Sequence, residues 1–182
     1  YWLNFFDKKK YEFLLVPNST KLATKLIKNN KNIDLIIIPG GNDVSNVLKT
    51  SNIRNNIEKN LIKICFKKKI PILGICRGAQ LINKSFGGKI SKIKKHMRTR
   101  HNIFFKKIEI IKKNILNVNS FHNDGIKKND LSKSFKILAS DKHQNIEIFI
   151  SNNKKIIGTM WHPEREKSTQ LLDTLIKYLN KK

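Results

Sequence analysis

Apolar residues fall into short runs separated by polar turn residues, and their spacing alternates along the first half of the chain. Tyr11 to Val16 is nearly continuous and stops at Pro17-Asn18, which predicts a strand. Lys21 to Lys28 carries Leu22, Leu26 and Ile27 at helical spacing, behind Ser19 or Thr20 as an N-cap. Asp34 to Pro39 predicts a second strand, ending in the turn Pro39-Gly40-Gly41-Asn42-Asp43. Ile53 to Phe66 predicts a helix with Ile53, Ile57, Leu61 and Ile64 or Cys65 inward. Ile70 to Ile75 is apolar throughout, as in a parallel strand buried on both faces, and Arg77 to Phe86 predicts a helix directly after it. Strand and helix in alternation imply an α/β fold with a mostly parallel central sheet covered by helices.

The second half is less regular. Ile103 to Ile111, Val118 to Phe121, Phe135 to Ala139, Ile146 to Ile150 and Ile156 to Met160 predict short strands. Arg165 to Leu179 predicts a final helix with Leu171, Leu172, Leu175, Ile176 and Leu179 on one face. No repeat, linker or second core pattern interrupts residues 1–182, so a single domain is expected.

Charge changes this picture little. The formal net charge is +25, but 33 of the 38 basic residues are Lys and they are spread along the whole chain. Nucleic-acid sites lean on clustered Arg with interleaved aromatics, and no such cluster is present. No nucleic-acid partner is expected; the charge fits an anionic small molecule better. The longest apolar stretches fall far below a membrane span, and Tyr1-Trp2-Leu3-Asn4 has no basic leader. Two cysteines without a disulfide pattern point to a reducing, cytoplasmic setting.

The candidate chemistry centres on Gly74-Ile75-Cys76-Arg77-Gly78, between a predicted strand and a predicted helix. This is the thiol form of a nucleophile elbow, whose flanking glycines leave room for a sharp turn. The helix N-terminus and Arg77 would both favour a thiolate. Cys65 has no such context and reads as a buried structural residue. A nucleophile needs a base, and His162-Pro163-Glu164 offers one. In extended backbone His162 and Glu164 point the same way, and Pro163 keeps His162 extended. Alone, the same triplet also describes a surface His ahead of a helix. An oxyanion hole would take one backbone N–H from Arg77 and a second from Gly40-Gly41, although Pro-Gly-Gly alone also describes an ordinary turn.

Pro39-Gly40-Gly41-x-Asp43, Gly74-Ile75-Cys76-Arg77-Gly78-x-Gln80 and His162-Pro163-Glu164, in this order, resemble the signatures of class I glutamine amidotransferase-like enzymes. The resemblance runs from about Tyr11 to the C-terminus. It implies a flavodoxin-like three-layer sandwich, a Cys76–His162–Glu164 triad and an oxyanion hole from Gly41 and Arg77. It implies no cofactor, and it implies a first strand ahead of Tyr1. Gln80, with Gly40, would contact the γ-glutamyl moiety. Gly87-Gly88 and Val118-Asn119-Ser120-Phe121-His122-Asn123 resemble the γ-glutamyl hydrolase branch, in which Asn119, Ser120 and His122 would line the glutamyl pocket. His122 has no partner at metal-ligand spacing, so no metal is expected there. His96 and His101 flank Met97-Arg98-Thr99-Arg100 in a basic loop, where they would either contact the leaving group or, as the favoured reading, be solvated. The activity implied is hydrolysis of a γ-glutamyl amide on a small molecule. The alternatives are a glutaminase that feeds ammonia to a synthase partner, and a non-catalytic basic binding protein. Oligomeric state stays open.

Overall fold

A computed structural model describes residues 1–41, 49–106, 111, 114–153 and 155–181. Among the described residues five helices surround the sheet: α1 (Trp2–Lys9), α2 (Thr20–Asn29), α3 (Lys49–Lys67), α4 (Arg77–Ser85) and α5 (Gln170–Leu179). The strands are β1 (Ile36–Ile38), β2 (Ile72–Ile75), β3 (Ser91–Lys92), β4 (Met97–Phe105), β5 (Ile115–Phe121), β6 (Asp124–Gly125), β7 (Phe135–Asp141), β8 (Ile146–Ser151) and β9 (Ile156–Thr159). Seven of them form one sheet in the order β1-β2-β9-β8-β7-β4-β5, and β3 and β6 pair separately. The β1–β2 and β2–β9 pairs are parallel; from β9 to β5 every pair is antiparallel.

The fully apolar segment forms β2, buried at every position, as a strand covered on both faces requires. Its side chains alternate between two cores. Ile72 joins Ala23, Ile27, Ile57, Leu61 and Cys65 under α2, α3 and α4. Leu73 and Ile75 join Phe5, Leu172, Leu175, Ile176 and Leu179 under α1 and α5. Helices, sheet and helices thus make the three layers of the expected α/β sandwich.

Several local expectations shift. Tyr11 to Val16 is not a strand: the segment has no regular structure, and Phe13, Leu14, Leu15 and Val16 are exposed. Helix α2 buries Ala23 and Ile27, with Ser19 as its cap, while Leu22 faces out. In α3, Ile57, Leu61, Ile62 and Cys65 turn inward and Ile53 is exposed. Strand β4 starts at Met97, six residues before the predicted strand, so the expected basic loop is instead a strand with an irregularity between Met97 and Thr99. Residues 107–110 of that prediction, and Asn42 and Asp43 of the glycine turn, lie outside the described residues. The final helix begins only at Gln170, because Pro163 to Arg165 forms a separate 3-10 turn.

Candidate active site

The C-terminal ends of three adjacent parallel strands carry the candidate residues. Gly40-Gly41 follows β1, Cys76 follows β2, and Met160-Trp161-His162 follows β9. Ligands of open α/β sheets gather at such strand ends. The Cys76 N–H donates to Thr159 O at 2.7 Å, which ties the elbow to the strand that leads to His162.

Cys76 has φ 51° and ψ −107°, a conformation that L-residues rarely adopt and that marks a nucleophile elbow. Both glycines are required by close approach. A Cβ on Gly78 would lie 1.9 Å from Ile38 O, and one on Gly74 would lie 2.5 Å from Ile82 Cδ1 and 2.8 Å from Ala79 N. Burial pushes the Cys76 thiol up to about 12; the Arg77 N–H draws it down, Glu164 and Glu147 push it up, and Arg165 lowers it. The Arg77 side chain favours the thiolate less than expected: Cys76 attracts its charge, but Glu58 does so more strongly. Its guanidinium turns away to donate to Glu58 Oε2 and, at 2.5 Å, to Asn55 Oδ1, so its charge is spent on Glu58.

His162 is 4 % exposed, and its Nδ1 lies 2.7 Å from Glu164 Oε1. A carboxylate only accepts, so Nδ1 carries the proton and Nε2 keeps the lone pair a general base needs. Nε2 makes no hydrogen bond among the described residues. A Cβ on Gly40 would come within 2.5 Å of the imidazole Cε1, so only glycine lets the loop lie against His162. Arg54, which sequence reasoning missed, fixes that loop. Its Nη2 donates to the Pro39 and Gly40 carbonyls, both at 3.2 Å, and its Nε donates to Glu58 Oε1 at 2.7 Å. A peptide is planar and trans, so holding Gly40 C=O toward Arg54 turns the Gly41 N–H the opposite way. Arg54 and Glu58 are four apart on α3, a spacing that could have flagged the pair. Glu58 thus joins the glycine loop to the elbow residue.

The four expected glutamyl-pocket side chains are engaged internally. Asn119 Oδ1 accepts from His162 N at 3.0 Å, and its Nδ2 donates to His162 O at 2.8 Å and to Glu166 Oε1 at 2.7 Å. It holds the His162 backbone. Ser120 is fully buried and donates to His96 O at 2.6 Å. Gln80 Nε2 donates to Asp124 O at 2.8 Å, and His122 Nδ1 donates to the same carbonyl at 2.9 Å. His96 and His101 are not solvated: their side chains are 3 % and 17 % exposed. They meet His122 and Glu147 between β4, β5 and β8, so the view that His122 lacks metal-binding neighbours is corrected in space. Burial, then His96, holds His122 down to about 3, so its imidazole is neutral. Burial raises Glu147, against the pull of His101. Cys65 is buried with its thiol pushed up to about 11, as a structural cysteine should be.

The sequence profile described as "Glutamine amidotransferase class-I" matches residues 4–179. The chain belongs to the class I glutamine amidotransferase family. Over 98 % of its length it is 36 % identical to the gamma-glutamyl-CDP-amidate hydrolase of Campylobacter jejuni, covering 86 % of that protein. It is 32 % identical to the glutamine-hydrolyzing GMP synthase subunit of Methanocaldococcus jannaschii, over 82 % of this chain and 73 % of that protein. In fold it matches the crystal structure of a glutamine amidotransferase from Thermotoga maritima with a TM-score of 0.73 at 19 % identity, covering 97 % of this chain and 74 % of the other. It is therefore a glutamine amidotransferase-like hydrolase. Among the described residues no helix is long and apolar enough to cross a membrane.

Proposed function

We propose that this amidotransferase-family protein hydrolyses the γ-glutamyl amide bond of a small anionic metabolite through a Cys76 thioester, and that γ-glutamyl-CDP-amidate is the substrate. The chemistry rests on one observation: the buried His162–Glu164 hydrogen bond beside the strained Cys76 elbow. His162 Nε2 takes the thiol proton as sulfur attacks the γ-carbonyl carbon. The Arg77 and Gly41 N–H groups bind the oxyanion, and His162 returns the proton to the leaving nitrogen. Water, deprotonated by His162, then cleaves the thioester to glutamate and free thiol. The steps use side chains and backbone alone. A free thiol is kept reduced in the cytoplasm, which is therefore the proposed location; capsule phosphoramidate synthesis is the proposed setting through the likeness to the gamma-glutamyl-CDP-amidate hydrolase.

The substrate rests on the 36 % identity over 98 % of the chain to a gamma-glutamyl-CDP-amidate hydrolase. Arg165 adds support. It follows Glu164, is 38 % exposed on its side chain, and spreads its guanidinium over Phe121 at 5.1 Å, where an anionic leaving group could meet it. The likeness to a glutamine-hydrolyzing GMP synthase subunit favours a second reading, a glutaminase that supplies ammonia to a synthase. Glutamate release from γ-glutamyl-CDP-amidate, other γ-glutamyl amides and glutamine, with Cys76→Ala as control, separates them. The proposal expects turnover of the nucleotide-linked amide and little of glutamine. Strong glutamine hydrolysis, raised further by a synthase, would overturn it.

A further inference from the structure

Beside the elbow lies a closed nest of nitrogen and oxygen donors that the proposed hydrolysis does not use. His96 precedes β4, His101 lies within it, His122 follows β5, and Glu147 lies on β8. His96, His122 and Glu147 each offer one ligand atom, and these atoms all lie within 4.8 Å of one another. All three residues are at least nine-tenths buried. Among the described residues, His96 Nδ1, His122 Nε2, both His101 nitrogens and both Glu147 oxygens make no well-aligned hydrogen bond. A buried polar atom without a partner is costly, so six in one nest point to a common partner.

The outer hydrogen bonds fix which atoms face inward. His122 Nδ1 meets the Asp124 carbonyl, which only accepts, so that nitrogen is protonated and Nε2 presents a lone pair. His96 Nε2 lies 3.1 Å from Asp141 Oδ2. Asp141 also accepts from His143 N and Asn145 N on Oδ1 and from Asn145 Nδ2 on Oδ2, each at 2.8 Å. As a carboxylate it too only accepts, so His96 donates there and turns the Nδ1 lone pair inward. Two imidazole lone pairs therefore face the Glu147 carboxyl, with His101 beside it. His101 Nε2 stands 3.1 Å from Glu147 Oε1, but out of line for a hydrogen bond. Acceptors facing acceptors in a dry cluster repel unless a cation sits among them.

We infer that His96 Nδ1, His122 Nε2, Glu147 and His101 Nε2 form a binding site for a divalent first-row transition metal, with zinc the best fit. Ligands at about 2.1 Å around a tetrahedral zinc lie about 3.4 Å apart. The His96 Nδ1 and His101 Nε2 distances to Glu147 Oε1, 3.6 and 3.1 Å, bracket that value. Asp141 behind His96 and the Asp124 carbonyl behind His122 are the outer hydrogen bonds that orient metal-binding imidazoles. His96, His122 and Glu147 are the donors that share a centre, and His101, beside Glu147, would complete the shell, which makes the ion structural. It would cross-link β4, β5 and β8 next to the catalytic residues: Glu147 O accepts from Met160 N at 2.9 Å, two residues before His162. The inference stands on these donors alone and not on the hydrolase reading.

The test uses the full chain carrying Cys76→Ser, so that the elbow thiol binds nothing. Metal analysis of the purified protein should find about one zinc per chain. Stripping with a chelator should lower Tm by several degrees, and added Zn2+ should restore it. Titrating the stripped protein with Co2+ should give the intense visible absorption of tetrahedral cobalt. His122→Ala and, separately, Glu147→Gln should abolish that band and the zinc content. If a stripped protein with a folded circular dichroism spectrum takes up neither Zn2+ nor Co2+, or if either variant binds metal as the parent does, the inference is wrong. The chelation and cobalt measurements on the Cys76→Ser parent decide it even if a second variant fails to fold.

Discussion

Asn119→Ala isolates how the fold holds the proposed base. The side chain grips His162 from both sides of its backbone, accepting from N at 3.0 Å and donating to O at 2.8 Å, and it donates to Glu166 Oε1 at 2.7 Å. His162 is nearly buried, so its N–H would lose its partner inside the protein, while its carbonyl keeps the Arg165 N–H at 3.0 Å. A buried group left without a partner costs about 1–3 kcal/mol, which is the loss predicted for the variant in urea unfolding. Glu166 keeps the Asn119 backbone N–H at 2.9 Å, so β5 stays anchored. The imidazole, no longer fixed at its own backbone, should drift, and an ångström of drift is worth about 100-fold in rate. A fall in kcat of about that size with KM little changed is the expected outcome. Asn119→Asp sharpens the test. It keeps the acceptor for His162 N but sets a carboxylate against His162 O and Glu166, so it should be no better than Ala. Stability and kcat both within about twofold of wild type for Asn119→Ala would refute the positioning argument.

Three other outcomes follow from the same geometry. The Cys76 thiol, pushed up to about 12 by burial, should react with iodoacetamide at a rate that climbs through pH 9; a plateau already reached below pH 7 would mean a preformed thiolate–imidazolium pair. Gly78→Ala would set a methyl 1.9 Å from Ile38 O, so it should cost more than about 3 kcal/mol or leave no soluble protein, and a near-native urea midpoint would contradict the elbow packing. Asp173 is lowered despite burial, because Lys177, Tyr11 and Lys9 bond to its carboxylate. Its contribution is therefore present above its unfolded value and lost as pH falls through its lower folded value. Asp173→Asn should narrow the gap in urea midpoint between pH 7 and pH 3; an unchanged gap would remove Asp173 as the cause.

What could be read in the sequence was local. The elbow needs only five consecutive residues, and His162-Pro163-Glu164 three, so both were legible with their chemistry. The apolar run of β2 was legible because a strand buried on both faces shows no alternation. Strand β4 was misplaced because its first residues, Met97 to Asn102, are polar or half-exposed and carry no apolar period. Tyr11 to Val16 failed for the opposite reason, since an apolar run does not say whether anything covers it. Asn119 and Ser120 were assigned to a glutamyl pocket through resemblance, and only packing reveals that they grip His162 and His96. The His96–His101–His122–Glu147 nest spans three strands, so no spacing along the chain could announce it. Arg54 and Glu58 sat in plain view at helical spacing, but their targets, the Gly40 carbonyl and Arg77, are known only from the fold.

The claim that Cys76 accepts a glutamyl group is tested most directly by acid-quenching the enzyme during turnover of γ-glutamyl-CDP-amidate and weighing its peptides. The account predicts one added glutamyl group on the peptide that contains Cys76, absent in Cys76→Ala and lost on standing at neutral pH. Sustained glutamate release by Cys76→Ala, or turnover of the intact enzyme with no adduct on that peptide, would contradict it.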